Sequence, residues 1–234
     1  MRSGWLTIPA VPTAAAVIAA LVIAGCGGPG SPGTAARPGP AALARELKAS
    51  LRGAGSVHVQ GTIVQNGEAD TLNLSLTRSG GAAGTVALKA DSFAILSTAG
   101  VSYLKITPGF LRYAKLPASR CAAFCGKYIK APAGESHAII GAFSMKSFLG
   151  SMASTLPSVS YTGTATVNGT PAWKLHVADG STAFVAANGT HYLLRVLPPQ
   201  GQTGRIDFTR WNSVTIPPPP PASQVVSVTQ LFTG

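Results

Sequence analysis

The chain has 234 residues and a formal net charge of +11, with 18 Lys and Arg against 7 Asp and Glu. Hydrophobic residues make up 46% of it and charged residues only 11%, a balance that favours an exported β-rich domain. The basic residues are scattered singly, without a dense basic run, which argues against a nucleic-acid partner. Two interpretations of the charge stay open: a diffuse attraction to phosphate-bearing head groups, and a positively biased solvated surface.

The N-terminus has the features of a bacterial lipoprotein signal. Arg2 provides a positive charge, and residues 14–24 form an uncharged apolar run, too short for a membrane-spanning helix of about 20 residues. Small residues end the run directly before Cys26, the order in which bacteria cleave a signal and attach diacylglycerol to the cysteine. We predict that residues 1–25 are a signal peptide and that an acylated, palmitate-bearing Cys26 anchors the protein at the extracytoplasmic face of the cell membrane. The alternative is an ordinary secretory peptide with a chance cysteine.

Three regions follow the signal peptide. Residues 26–40 are a lipidated linker rich in Gly and Pro, which cannot bury enough surface to fold. Extended at about 3 Å per residue, it holds the domain up to roughly 40 Å above the membrane. Residues 41–216 form the predicted domain, and residues 217–234 are a C-terminal segment that begins with a stiff run of prolines.

Hydrophobic periodicity predicts a helix before the strands and another between them. Leu43, Leu47 and Leu51 recur every four residues within 41–52, which is typical of a helix with one apolar face. In 141–155 apolar residues again recur near helical spacing.

Alternating apolar and polar side chains predict two runs of strands, at 57–106 and 158–211. Turn signals such as Asn66–Gly67 and Asn168–Gly169 separate the strands, so we expect hairpins throughout. The fold class is therefore α+β, with an antiparallel sheet that helices cover on one face.

The domain resembles the LppX/LprG-type lipoproteins of actinobacteria and, more distantly, the LolA-type lipoprotein carriers. The shared patterns, in matching order, are Gly100–Lys105 before Phe110, Gly126–Lys130, Val167–Ala172, Asp179–Gly180 and Pro217–Pro220. The resemblance implies a strongly curved half-barrel sheet with helices on its concave face, enclosing an apolar cavity. It also implies binding or transfer of acylated lipids or lipoglycans. The chain departs from the family pattern at Tyr128, where tryptophan is common, and in having a Cys121/Cys125 pair.

Catalytic motifs are weak in this sequence. Most of the acids fall at predicted turns or exposed positions; the seven are Glu46, Glu68, Asp70, Asp91, Glu135, Asp179 and Asp207. Ser102 and Lys105 match the spacing of a penicillin-binding-protein nucleophile but lie in a predicted strand without the partner motifs. Residues 134–138 approximate a nucleophile elbow without its last glycine. We expect no enzyme activity and no cofactor.

The histidines are isolated, so they predict no metal site. Cys121 and Cys125 lie four residues apart in a chain expected in an oxidising compartment, where a disulfide is the favoured outcome. Free thiols, and metal or redox use, are the alternatives.

Large apolar side chains exceed what a one-sided sheet needs and predict a lipid-binding cavity. These candidates are Phe93, Tyr103, Ala142, Phe143, Met145, Phe148, Leu149, Met152, Trp173 and Tyr192. A plain packed core is the alternative explanation.

The leading hypothesis is a non-catalytic, plasma-membrane-anchored carrier of acylated lipids or lipoglycans. The second is a cell-surface interaction or sensor module with a packed core and no lipid cargo. A hydrolase comes last.

Replacing Cys26 by Ala tests the anchor. The variant should leave the membrane fraction or keep its signal peptide uncleaved, because no thiol remains to accept the diacylglycerol. Fractionation and the mass of the N-terminus measure this. A processed variant that still partitions with membranes would contradict the assignment.

Overall fold

The computed structural model describes residues 37–88, 91–131, 134, 141, 143–155 and 159–233. Its strands are β1 (Ser56–Gln65), β2 (Glu68–Thr77), β3 (Ala82–Leu88), β4 (Asp91–Thr98), β5 (Val101–Lys105), β6 (Tyr128–Lys130), β7 (Val159–Val167), β8 (Thr170–Val177), β9 (Thr182–Ala186), β10 (Leu193–Leu197), β11 (Gln202–Thr209) and β12 (Val225–Val226). Its helices are α1 (Pro40–Gly53), α2 (Pro108–Tyr113), α3 (Cys121–Phe124), α4 (Met145–Thr155) and α5 (Val228–Thr233), with 3₁₀ turns at Ala118–Arg120 and Ala222–Gln224.

The strands form one open sheet in the order β12-β6-β5-β4-β3-β2-β1-β11-β10-β9-β8-β7. This confirms the predicted α+β class. Within the described residues the strand pairs are antiparallel except β12 with β6, which is parallel. The expectation of hairpins throughout is wrong at this edge, because β12 reaches β6 from a distant part of the chain.

The pairing of β1 with β11 joins the two meanders into one sheet. It runs from His58 opposite Thr209 to Gln65 opposite Gln202. Gly204 has a φ of +107°, and a Cβ there would lie 2.0 Å from the backbone oxygen of Thr62. Only glycine allows the two strands to approach this closely while the sheet bends.

Helices α1 and α4 pack on one face of the sheet. Leu43, Leu47 and Leu51 of α1 are at most 2% exposed, as the four-residue spacing predicts. They share one core with Met145 and Leu149 of α4 and with inward side chains of both meanders, among them Val59, Leu74, Leu175, Val185 and Phe208.

A second cluster lies near the β6 edge of the sheet, around Ile106, Leu111 and Ile129. Leu231 of α5 is fully buried in it, although the sequence sets the C-terminal segment apart from the domain. Arg120 donates a 2.6 Å hydrogen bond to the backbone oxygen of Leu231. The C-terminal segment therefore supplies both a strand and a helix to the fold.

A proline-rich strap, residues 213–224, connects β11 to β12. Val214 N–H donates to Ser56 Oγ at its start, and Ile216 packs against Gly81. From β1 to β6 the strap passes five inter-strand spacings, about 24 Å in all. Residues 213–221 precede the 3₁₀ turn and form no regular helix or strand. Extended at about 3.1 Å per residue, as in the polyproline conformation, these residues reach about 28 Å, which covers that distance.

Leu231→Ala tests whether α5 belongs to the cooperative core. We expect the free energy of unfolding to fall by about 2–4 kcal/mol, because the substitution leaves a cavity at a fully buried position. Chemical denaturation measures this. The neighbouring Phe232 is 49% exposed, so Phe232→Ala serves as control and should change stability by less than about 0.5 kcal/mol. Equal stability of both variants and wild type would contradict the assignment.

Candidate functional site

A cleft of about 430 Å³ opens between α1 and α4. It lies at the C-terminal end of α1 and beside the first half of α4. Its lining consists of Lys48, Leu51, Arg52, Arg78, Met145, Lys146, Leu149 and Gly150. The volume is within the range of about 300–1,000 Å³ that is usual for small-molecule sites.

The floor of the cleft is apolar. Leu51 ends the leucine stripe of α1, and Met145 and Leu149 stand four residues apart on one side of α4. All three belong to the main core, so the floor of the cleft is part of the packed helix–sheet interface. A flexible thioether such as that of Met145 adapts to irregular apolar partners.

The rim of the cleft is basic. Lys48 and Arg52 come from α1, Arg78 from the turn after β2 and Lys146 from α4. Arg78 Nε donates to the backbone oxygen of Ala54 over 2.8 Å, and its Nη2 reaches the oxygen of Leu51, so this side chain also caps the end of α1. The sequence shows these cations as scattered, whereas the fold gathers them at one opening.

Five predicted cavity residues lie on or just before α4. Met145 and Leu149 line the cleft. Phe143, Phe148 and Met152 are half-buried against the same core, and the Phe148 ring lies 6.2 Å from that of Phe208.

Four further predicted cavity residues lie apart from the cleft lining: Phe93, Tyr103, Trp173 and Tyr192. Trp173 is buried in the main core. Tyr192 stacks on Trp211 and lines a second, shallow depression of about 480 Å³ on another side of α1. Phe93 packs in the second cluster, with its ring 4.9 Å from that of Tyr113. Ala142 lies outside the described residues.

Tyr103 is buried but points away from the helices. Its neighbour Leu104 packs into the core, and successive strand residues face opposite sides of the sheet. Sequence reasoning placed Tyr103 in the cavity because its size alone does not show which face of β5 it occupies.

Asp207 differs from the expectation that the acids are solvated. It is 4% exposed, and Arg195 Nη2 donates to its Oδ2 over 3.1 Å while Arg205 Nε lies 3.2 Å from the same oxygen. The hydrogen bond to Asp207 raises the pKa of Arg195, so this guanidinium stays charged. The cluster is a structural ion pair across β10 and β11. The sequence does not show that Arg195 and Asp207 are partners, because only the register of these two strands places them opposite each other.

The weak catalytic and redox motifs are placed as follows. Ser102 is fully buried, 2.7 Å from Ser97 Oγ, and Lys105 lies three residues along β5 and therefore faces the other side of the sheet. Cys121 and Cys125 are joined by a disulfide, with their Cα atoms 4.6 Å apart.

Among the described residues, no three His, Cys, Asp or Glu side chains lie together as possible metal ligands. None of the helices formed by the described residues combines the length and apolar character needed to span a bilayer.

Comparison with known proteins gives a likeness in structure. No family model and no curated protein matches the chain. The crystal structure of LprF from Mycobacterium bovis is similar at 17% identity and a TM-score of 0.53, over 77% of this chain and 96% of that one. Lipoprotein LppX of Mycobacterium tuberculosis matches at 13% identity and a TM-score of 0.47, over 76% of this chain and 98% of that one. The chain thus has the fold of LprF, and this confirms the fold that the sequence resemblance predicts.

Proposed function

We propose that this protein is a non-catalytic, membrane-anchored lipoprotein that binds or transfers acylated lipids or lipoglycans outside the cytoplasm. The observation that carries the proposal is the cleft between α1 and α4, with its apolar floor of Leu51, Met145 and Leu149. An acyl chain lying on this floor extends the main core, because the floor side chains are themselves core members.

Hydrophobic transfer explains why a lipid carrier needs such a floor. A palmitoyl chain moved from a bilayer into water costs about 12 kcal/mol, at about 0.8 kcal/mol per CH₂. Contact with buried apolar side chains offsets much of this cost. Elsewhere the interface between α1 and the sheet is closed, with Leu43, Leu47 and Phe208 at most 1% exposed. The cleft is therefore where we place the chain.

The predicted anchor supports the same function. A lipidated Cys26 followed by a Gly- and Pro-rich linker to residue 40 would keep the domain within roughly 40 Å of the membrane. At that distance a carrier meets its cargo at the bilayer surface. The family resemblance implies cargo of this kind.

The closed interface also favours the second candidate, a surface interaction module. If the cleft holds no lipid, the packed core described above is all that the helices and sheet require. The two candidates therefore differ in what occupies the cleft and not in the fold.

Gly150→Trp separates the two candidates. Gly150 is exposed on the cleft wall, and a Cβ added there meets no atom within 4 Å. The indole has room, so we expect stability to be kept or raised slightly, since Gly costs a helix about 0.5–1 kcal/mol relative to Ala. It should fill the cleft and abolish lipid binding. Gly150→Ala is the matched control and should bind like wild type.

Binding is measured by isothermal titration with monomeric palmitoyl lysophosphatidylglycerol and lysophosphatidylcholine. The protein is the mature chain with Cys26→Ala, produced without residues 1–25, and its organic extract is examined by mass spectrometry. Wild type that carries no lipid and binds neither probe would refute the carrier proposal in favour of the interaction module. If Gly150→Trp still bound the lipid, the lipid site would have to lie outside this cleft.

A further inference from the structure

Within the described part of the chain, the cations at the rim of the cleft form no ion pair with a carboxylate. Among the described residues that line the cleft, none is acidic. The ion pairs of the described part of the chain engage other cations, such as Arg112 with Asp91 and Arg195 with Asp207. The rim therefore presents a concentrated positive charge beside an apolar floor.

The fold brings like charges near one another at the rim. Lys48 and Arg52 stand at i and i+4 on α1, a spacing at which like charges destabilise a helix. Lys146 and Arg78 add charge of the same sign from two other elements. An anionic ligand at the opening would relieve this repulsion and gain charge-assisted hydrogen bonds.

Arg78 connects the rim to the fold. Two of its hydrogen bonds go to backbone oxygens at the end of α1, and a guanidinium has five N–H donors in all. The side chain is thus held in place while other donors stay available for a ligand. Such fixed guanidinium groups suit phosphate and carboxylate oxygens.

We propose that the cleft selects amphiphiles with an anionic head group, bound by Lys48, Arg52, Arg78 and Lys146, and with one acyl chain on the apolar floor. This proposal rests on the proposed function and names its substrate class. The volume of about 430 Å³ is near the lower end of the usual range of small-molecule sites, which favours a single chain. The anionic group that these cations would bind is a phosphate or a carboxylate. We place it in the same lipid molecule as the acyl chain.

A charge-neutralised variant tests the proposal. It carries Lys48→Gln, Arg52→Gln and Lys146→Gln, and it keeps Arg78 because of its bonds to α1. The matched control carries Arg45→Gln, Lys130→Gln and Lys174→Gln, which are exposed and outside the cleft lining. Both variants lose two lysines and one arginine, so they have the same net charge.

The probes are palmitoyl lysophosphatidylglycerol and palmitoyl lysophosphatidylcholine, which share an acyl chain and differ in head-group charge. We expect wild type and control to bind the anionic probe about tenfold more tightly at low salt, since several exposed charge contacts act together. The preference should shrink with added salt. The cleft variant should lose the preference and keep its weaker binding of the zwitterionic probe.

Each outcome distinguishes this proposal from the carrier function itself. Equal affinity of wild type for the two probes would overturn the anionic selection and leave the carrier function standing. If the control variant also lost its preference for the anionic probe, the proposed selection would be overturned. That result would show that the net charge of the protein, and not the rim of the cleft, determines the preference. The last experiment measures binding of the protein to vesicles of phosphatidylglycerol. Binding to those vesicles without binding of the monomeric probe would show a membrane-surface contact and overturn the cargo site.

Discussion

The backbone pairing of β1 with β11 is the constraint on which the rest of the fold depends. Side chains of both meanders pack against α1 and α4 in one core. Eight consecutive residue pairs join the meanders, and the resulting core contains inward side chains from both. Gly61 and Gly204 let the strands approach closely at this junction. A side chain at either position would separate the strands and divide the core.

The surroundings of α1 differ between its first and last turns. Along the first turns of α1 the leucine stripe is fully covered. At the last turn a cleft opens between α1 and α4, lined by residues of both helices and by Arg78. The charges at this opening come from three separate elements, which only the assembled fold brings together. The floor of the cleft is therefore part of the hydrophobic core, and the proposed ligand would pack against that core.

Local patterns in the sequence predicted the elements well. The leucines of α1 and the alternation in β2 reflect the repeat of each backbone conformation. The Asn66–Gly67 and Asn168–Gly169 turns adopt the positive φ values that their residues favour. These features depend on neighbours a few residues away, so the sequence contains them directly.

Features that depend on strand register could not be predicted. Alternation in β5 shows that Tyr103 and Leu104 face opposite ways, but not which one meets the helices. Asp207 is buried because β10 places Arg195 beside it, twelve positions away in sequence. The basic rim needs residues almost a hundred positions apart. The sequence prediction therefore names Met145 and Leu149, which line the cleft, but does not name Arg78, which lines it as well.

The strap has a consequence for the order in which the chain folds. β6 is bare on its outer side until β12 arrives, and β12 lies almost a hundred residues later in the sequence. Closing so long a loop is slow compared with forming hairpins. During that interval the unpaired edge of β6 offers backbone groups to any other strand, including that of a second chain. Strand β12 therefore covers this edge of β6 only once folding is nearly complete.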